Sequence, residues 1–152
     1  MTEINYWLMK SEPEAYSIDN LQRENVTLWD GIRNYQARNF MRNMSIGDKV
    51  FFYHSNCSPP GIVGLMEVIE KNIIDPTQFD KKSRYYDPKS DLSKPRWDCV
   101  KVKFLMKSES ILSLGDLRNL YNEDELLVVK KGNRLSITPV KEKIAKKLLE
   151  KI

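Results

Sequence analysis

The hydrophobic pattern of this chain switches repeatedly between the two-residue period of a strand and the 3.6-residue period of a helix, without strict strand–helix alternation. Such a pattern argues for an α+β domain with a curled mixed sheet. Asn5 to Lys10 is rich in aromatic and aliphatic side chains and predicts a buried strand. Ser17 is an N-cap for a short helix carrying Ile18 and Leu21 and ending near Asn25, and Val26 to Trp29 predicts a brief strand. Ala37, Phe40, Met41 and Met44 recur at i, i+3, i+4 and i+7 and mark one face of an amphipathic helix that Gly47-Asp48 ends.

Lys49 to His54 and Ile62 to Ile69 read as two neighbouring strands joined by a Pro-containing loop. From Asn72 to Pro95 the periodicity dissolves into a long insertion, of the kind that is functional or mobile when it interrupts a compact domain. Val100, Val102 and Phe104 then alternate with Lys101 and Lys103 in a half-buried strand. Ser113 with Asp116 predicts a capped helix bearing Leu114, Leu117 and Leu120, and Asn122 with Glu125 repeats that signal before Leu126 to Val129. Leu135 to Ile137 predicts a strand. Thr138-Pro139 predicts an N-cap with proline at the first helical position, opening a last helix with Val140, Ile144 and Leu148 on its apolar stripe.

The 152 residues suit one domain, residues 1–152, and a chain of this length buries roughly 70% of its unfolded surface. With 41% hydrophobic and 30% charged residues the composition is that of an ordinary globular protein. No apolar run approaches the roughly 20 residues that cross a bilayer. The amino terminus lacks a basic region leading into an apolar stretch, so the expected location is cytoplasmic. Cys57 and Cys99 are then expected to be free thiols.

Net charge is +4, and it is localised: Lys71 to Lys107 holds ten Lys or Arg against five Asp, interleaved with Tyr85, Tyr86 and Trp97. Basic side chains among aromatic ones suit a phosphate backbone with stacked bases. Much other chemistry is excluded. His54 is the sole histidine, which rules out any site needing two imidazoles, and no phosphate-cradling or nucleophile-elbow glycine motif occurs. No cofactor, metal or catalytic constellation is expected.

Polar residues stand beside aromatic ones at strand ends and turns in four clusters: Lys10-Ser11-Glu12-Pro13, Trp29 to Tyr35, Tyr53-His54-Ser55-Asn56, and Lys131 to Ser136. Extended to Tyr6 to Pro13, Leu28 to Phe40, Phe52 to Ser55, Pro95 to Asp98 and Lys131 to Ser136, these strings resemble EVE-domain proteins from Tyr6 to about Val140. The resemblance implies a PUA-like fold, a small mixed β-barrel flanked by short α-helices. It further implies kinship with YTH domains and a non-enzymatic role in binding nucleic acid, DNA or RNA, by reading an extruded base: methylated or hydroxymethylated cytosine, or N6-methyladenine.

By that resemblance Trp29 would be the stacking wall, with Lys10, Ser11 and Asn34 lining the same pocket. Glu12 is a candidate acceptor for an exocyclic amine, with His54 and Ser55 on the neighbouring strand end. Arg33 and Arg134 would serve phosphates or the base edge, and Tyr35, Leu135 and Ser136 complete the expected set. No tryptophan aligns with a second wall, for which Tyr35, Tyr85, Tyr86 and Trp97 are the candidates. Two other readings compete: an enzyme using Glu12 and His54 as acid and base, and an adaptor with a nucleotide-like ligand.

Overall fold

A computed structural model describes residues 3–152. Strand β1 (Tyr6–Ser11) is followed by helix α1 (Ile18–Glu24), strand β2 (Val26–Leu28), helix α2 (Tyr35–Asn43), and strands β3 (Lys49–His54) and β4 (Gly61–Ile74). A segment with a 3₁₀ turn at Pro76–Phe79 leads to β5 (Asp98–Ser113) and α3 (Leu114–Leu120). A second 3₁₀ turn at Leu127–Val129 precedes β6 (Ile137–Val140) and α4 (Glu142–Lys151).

The strands form one mixed sheet in the order β2-β5-β4-β3-β1-β6. β1 runs parallel to β3, and every other neighbouring pair is antiparallel. The sheet is open, with β2 and β6 as its edges, where the resemblance implied a barrel. It is nevertheless curled. Thr27 and Leu28 of β2 border the same cavity as Lys10 and Ser11 of β1, although β5, β4 and β3 lie between them in the sheet. In a flat sheet the four intervening spacings would separate these strands by roughly 19 Å.

Both faces of the sheet are buried, which accounts for the unbroken apolar runs in β1 and β3. Trp7, Met9, Val50 and Phe52 point into one core with Leu21 of α1 and Met41 of α2. Leu8, Phe51 and Tyr53 point into the other, against Leu117 of α3 and Ile144 and Leu148 of α4. Ser17 and Ser113 cap α1 and α3 as their spacing predicts, each in a reciprocal exchange with the residue three positions on. Asn122 and Glu125 make the same exchange, but it closes only a single turn.

Several elements differ from their sequence patterns. Thr138 and Pro139 lie within β6, paired with Leu8 and Trp7, and α4 begins at Glu142 without a side-chain cap. Proline is tolerated there because β6 is an edge strand, where a missing N–H breaks no ladder. β4 and β5 also run well beyond the expected strands, pairing from Gly61↔Ser113 to Ile74↔Asp98 through several register shifts.

Candidate functional site

The parallel pairing of β1 and β3 sets Ser11 opposite His54, so both strands end at one rim of the sheet. The Ser55 amide donates to the Ser11 carbonyl at 3.0 Å, and the Lys10 amide donates to the Ser136 carbonyl at 2.8 Å. Facing this rim, β2 runs out into the turn Trp29 to Arg33. Between the two sides lies a cavity of about 860 Å³, within the range of small-molecule sites. Lys10 and Ser11 line it from the end of β1 with Glu12 just beyond, Ser55 and Asn56 from the loop after β3, and Arg134 and Ser136 from the loop before β6. Thr27 to Arg33 and Tyr16 form the opposite wall, and Arg84 and Tyr85 reach in from the insertion.

Eight of the twelve residues expected at a site therefore border one cavity: Lys10, Ser11, Glu12, Trp29, Arg33, Ser55, Arg134 and Ser136. Four do not. Asn34 is the N-cap of α2, its side-chain oxygen accepting from the Ala37 amide at 3.0 Å. Tyr35 lies outside, stacked on Trp97 with ring centroids 4.8 Å apart. The His54 Nε2 accepts the Ile18 amide at 3.1 Å, which ties the imidazole to the start of α1. Leu135 is absent from the lining, its amide donating to Asn133 Oδ1 at 3.0 Å.

Two residues that do border the cavity have geometries at odds with the roles drawn from the resemblance. All five N–H donors of Arg33 are engaged within the protein: Nε with the Tyr85 carbonyl, Nη1 with the Ile32 carbonyl and Asp75, and Nη2 with Thr77 Oγ1 and the Tyr85 carbonyl. No donor is left for a phosphate, so Arg33 is a clasp between the turn after β2 and the insertion. Trp29 is only 6% exposed and belongs to the core, making edge contacts to Phe52 at 5.2 Å and Tyr16 at 6.5 Å. It closes the cavity as part of the scaffold rather than standing out as a free wall.

Of the four candidates for a second wall, Tyr85 alone lines the cavity. Its ring lies against Gly31, where φ is +81° and a Cβ would fall 2.7 Å from the tyrosine carbons. Glycine is thus required twice, for the left-handed backbone and for the close approach. Trp97 is buried, its indole N–H donating to Asp87 at 2.7 Å, and Tyr86 does not border the cavity.

Sequence reasoning left out Asp30, Tyr16 and Arg84, although Asp30 stands inside the Trp-Asp-Gly string. Burial, reinforced by the charge of Asp75, holds the Asp30 carboxyl above the ordinary carboxylate value, while Arg33 acts against the shift. Burial likewise holds the Lys10 ammonium below its ordinary value. Among the described residues no carboxylate forms an ion pair with Lys10, Arg84 or Arg134. The cavity thus presents three unpaired cations, two carboxylates at Glu12 and Asp30, and aromatic and aliphatic surface between them.

Both cysteines are free, and burial pushes the Cys99 thiol up to about 12. Among the described residues no group of three His, Cys, Asp or Glu side chains is placed to hold a metal ion. No helix among them is long and apolar enough to cross a membrane.

Comparison with known proteins places this geometry in a lineage. Thymocyte nuclear protein 1 of Rattus norvegicus is 46% identical over 128 residues, covering 77% of this chain, and the match spans 57% of the rat protein's length. A solved structure of a Pseudomonas syringae protein superposes with a TM-score of 0.91 at 43% identity, covering 97% of this chain and 99% of the other. The crystal structure of human THYN1 protein in complex with 5-methylcytosine containing DNA superposes with a TM-score of 0.90 at 38% identity, covering 96% of each chain. The model of the EVE domain matches residues 5–151, and the chain belongs to the EVE domain family.

Proposed function

We propose that this chain is a non-enzymatic nucleic-acid-binding module that takes a modified base into the cavity between the β1–β3 rim and the turn after β2. The observation that carries this reading is the composition of the cavity, with unpaired cations around a space bordered by Tyr85, Tyr16 and part of Trp29. It is supported by the human relative solved with 5-methylcytosine containing DNA. Cytosine methylated or hydroxymethylated at C5 is the first candidate ligand, and N6-methyladenine the second. Both carry an exocyclic amine, for which Asp30 and Glu12 are the acceptors. Leu28 and Ile32 offer apolar surface to a methyl group.

Tyr85 supplies the stacking face, and Lys10, Arg84 and Arg134 take the adjoining phosphates. Stacking is worth about 1–3 kcal/mol for each base, comparable with the few kcal/mol that extrusion from a duplex costs. A catalytic role finds no support in the geometry, because His54 lies outside the cavity with Nε2 occupied, which leaves Glu12 without its expected partner.

The test is a titration of wild type and Tyr85→Ala against matched oligonucleotides, in DNA and RNA, carrying cytosine, 5-methylcytosine, 5-hydroxymethylcytosine, adenine or N6-methyladenine. Tyr85 is preferable to Trp29 as the probe because truncating a core tryptophan costs about 3–5 kcal/mol of stability and confounds the readout. Tighter binding to one modified base, weakened at least about five-fold in Tyr85→Ala, is the expected result. Equal affinity for all five bases overturns the reading.

A further inference from the structure

A chain of ring and guanidinium contacts leaves the cavity and continues over the outside of the molecule. Arg84 and Arg33 lie 5.2 and 5.8 Å from the Tyr85 ring, and Arg33 lies 5.3 Å from the Trp97 ring. Trp97 carries Tyr35 on its face, and the Arg38 guanidinium sits 4.7 Å from the Tyr35 ring. Tyr35 is 51% exposed even with one face against Trp97. A tyrosine this exposed at the start of a helix, stacked on a buried tryptophan, is a rigid platform whose position is set from below.

The charges beside the platform are similarly arranged. Arg96 reaches the Tyr35 hydroxyl at 3.5 Å, and Arg38 donates to the Arg96 carbonyl at 2.9 Å, so both side chains are gathered at the seam between α2 and the 75–97 insertion. Neither forms an ion pair among the described residues. The nearby acids are engaged elsewhere, Asp98 with Arg42 and Asp87 with the Trp97 indole. Arg38 also donates to Asn39 Oδ1 at 3.1 and 3.3 Å and keeps N–H groups to spare, and two guanidinium groups outside any ion pair flanking an exposed aromatic ring match a phosphodiester backbone with one unstacked base.

We propose that this seam is a second nucleic-acid subsite, in which Arg38 and Arg96 hold phosphates of the strand that continues from the pocketed base and Tyr35 stacks the neighbouring base. The proposal rests on the reading of the cavity as a base pocket and extends it to a footprint longer than one nucleotide. Arg33, which contacts both Tyr85 and Trp97, joins the two subsites through the scaffold rather than through the ligand.

The experiment measures affinity against salt for wild type, Arg38→Gln/Arg96→Gln and Arg38→Lys/Arg96→Lys, using single-stranded DNA with a central 5-methylcytosine or cytosine. A second series measures Tyr35→Ala on the same strands and on the free nucleoside 5-methylcytidine. Melting temperatures confirm that each variant is folded. In the glutamine variant the slope of log affinity against log salt is expected to fall by about 1.4, roughly 0.7 for each single-strand phosphate released, with discrimination between the two bases unchanged. The lysine variant keeps the wild-type slope. Tyr35→Ala loses about five-fold or more on the oligonucleotide and nothing on the nucleoside. An unchanged slope in the folded glutamine variant overturns the proposal, and so does an equal loss of slope in the lysine variant. Equal wild-type affinity for the two strands, with the slope still reduced in the glutamine variant, means instead that the base-pocket reading has failed and the strand subsite stands.

Discussion

Asp75 is fully buried and accepts four hydrogen bonds, from the Gly31 amide at 2.8 Å, Arg33 at 3.0 Å, the Thr77 amide at 2.8 Å and the Thr77 hydroxyl at 2.5 Å. Its replacement by alanine strands a guanidinium and an amide in a poorly solvated place, and Asp75→Ala is expected to cost about 3 kcal/mol or more in urea unfolding. None of this was legible locally: the partners that turn Arg33 from a phosphate ligand into a clasp lie 42 and 52 residues further along the chain. Asn34, by contrast, is a helix cap whose partner is three residues away, and short-range geometry of that kind can be read from spacing alone. His54 allows a pH test. Burial holds its imidazole below the ordinary value of 6.5, and its Nε2 must stay unprotonated to accept the Ile18 amide. The unfolded chain therefore takes the proton first, and stability falls as pH drops from 6.5 towards the lower folded value. Comparing melting temperatures at neutral and mildly acidic pH, His54→Gln is expected to lose part of the acid sensitivity that wild type shows.

The insertion between β4 and β5 reads in sequence as a stretch without period, yet it is built around one buried side chain. Gln78 donates to the Asp75 and Trp97 carbonyls, both at 2.7 Å, and accepts from Ser90 Oγ at 2.5 Å and from the Arg96 and Trp97 amides at 3.1 and 3.2 Å. This is order without hydrophobic periodicity, which pattern reading does not detect. Gln78→Leu leaves several of these groups unmet at roughly 1–3 kcal/mol each. Amide hydrogen exchange in residues 79–97 is expected to accelerate in that variant while the β3–β4 ladder keeps its protection. The helix caps at Ser17 and Ser113 were legible because a capping box lies within one turn. Thr138-Pro139 carries the local signature of a helix start and was misread because the pairing that makes it a strand comes from β1, far away in sequence.

Across the whole molecule, the cavity sits at the strand-end rim of the sheet, and the core packed under α4 lies away from it. Leu148 of α4 is buried in the second core and borders no part of the cavity. Leu148→Ala is expected to cost about 2–5 kcal/mol in unfolding experiments and to leave oligonucleotide affinity unchanged at temperatures where the variant is folded. The α+β class was legible because it depends on the sequence of periods; the open edge was not, since closure depends on which strands remain unpaired. The Arg33 clasp grips the peptide carbonyl of residue 85 and makes no use of that residue's hydroxyl. What is fixed there is a mounting point, and what it carries is exchangeable. If the cavity takes a base as proposed, a lineage built on this scaffold has a route to new ligand preferences through substitutions at position 85, with the architecture that holds the position inherited intact.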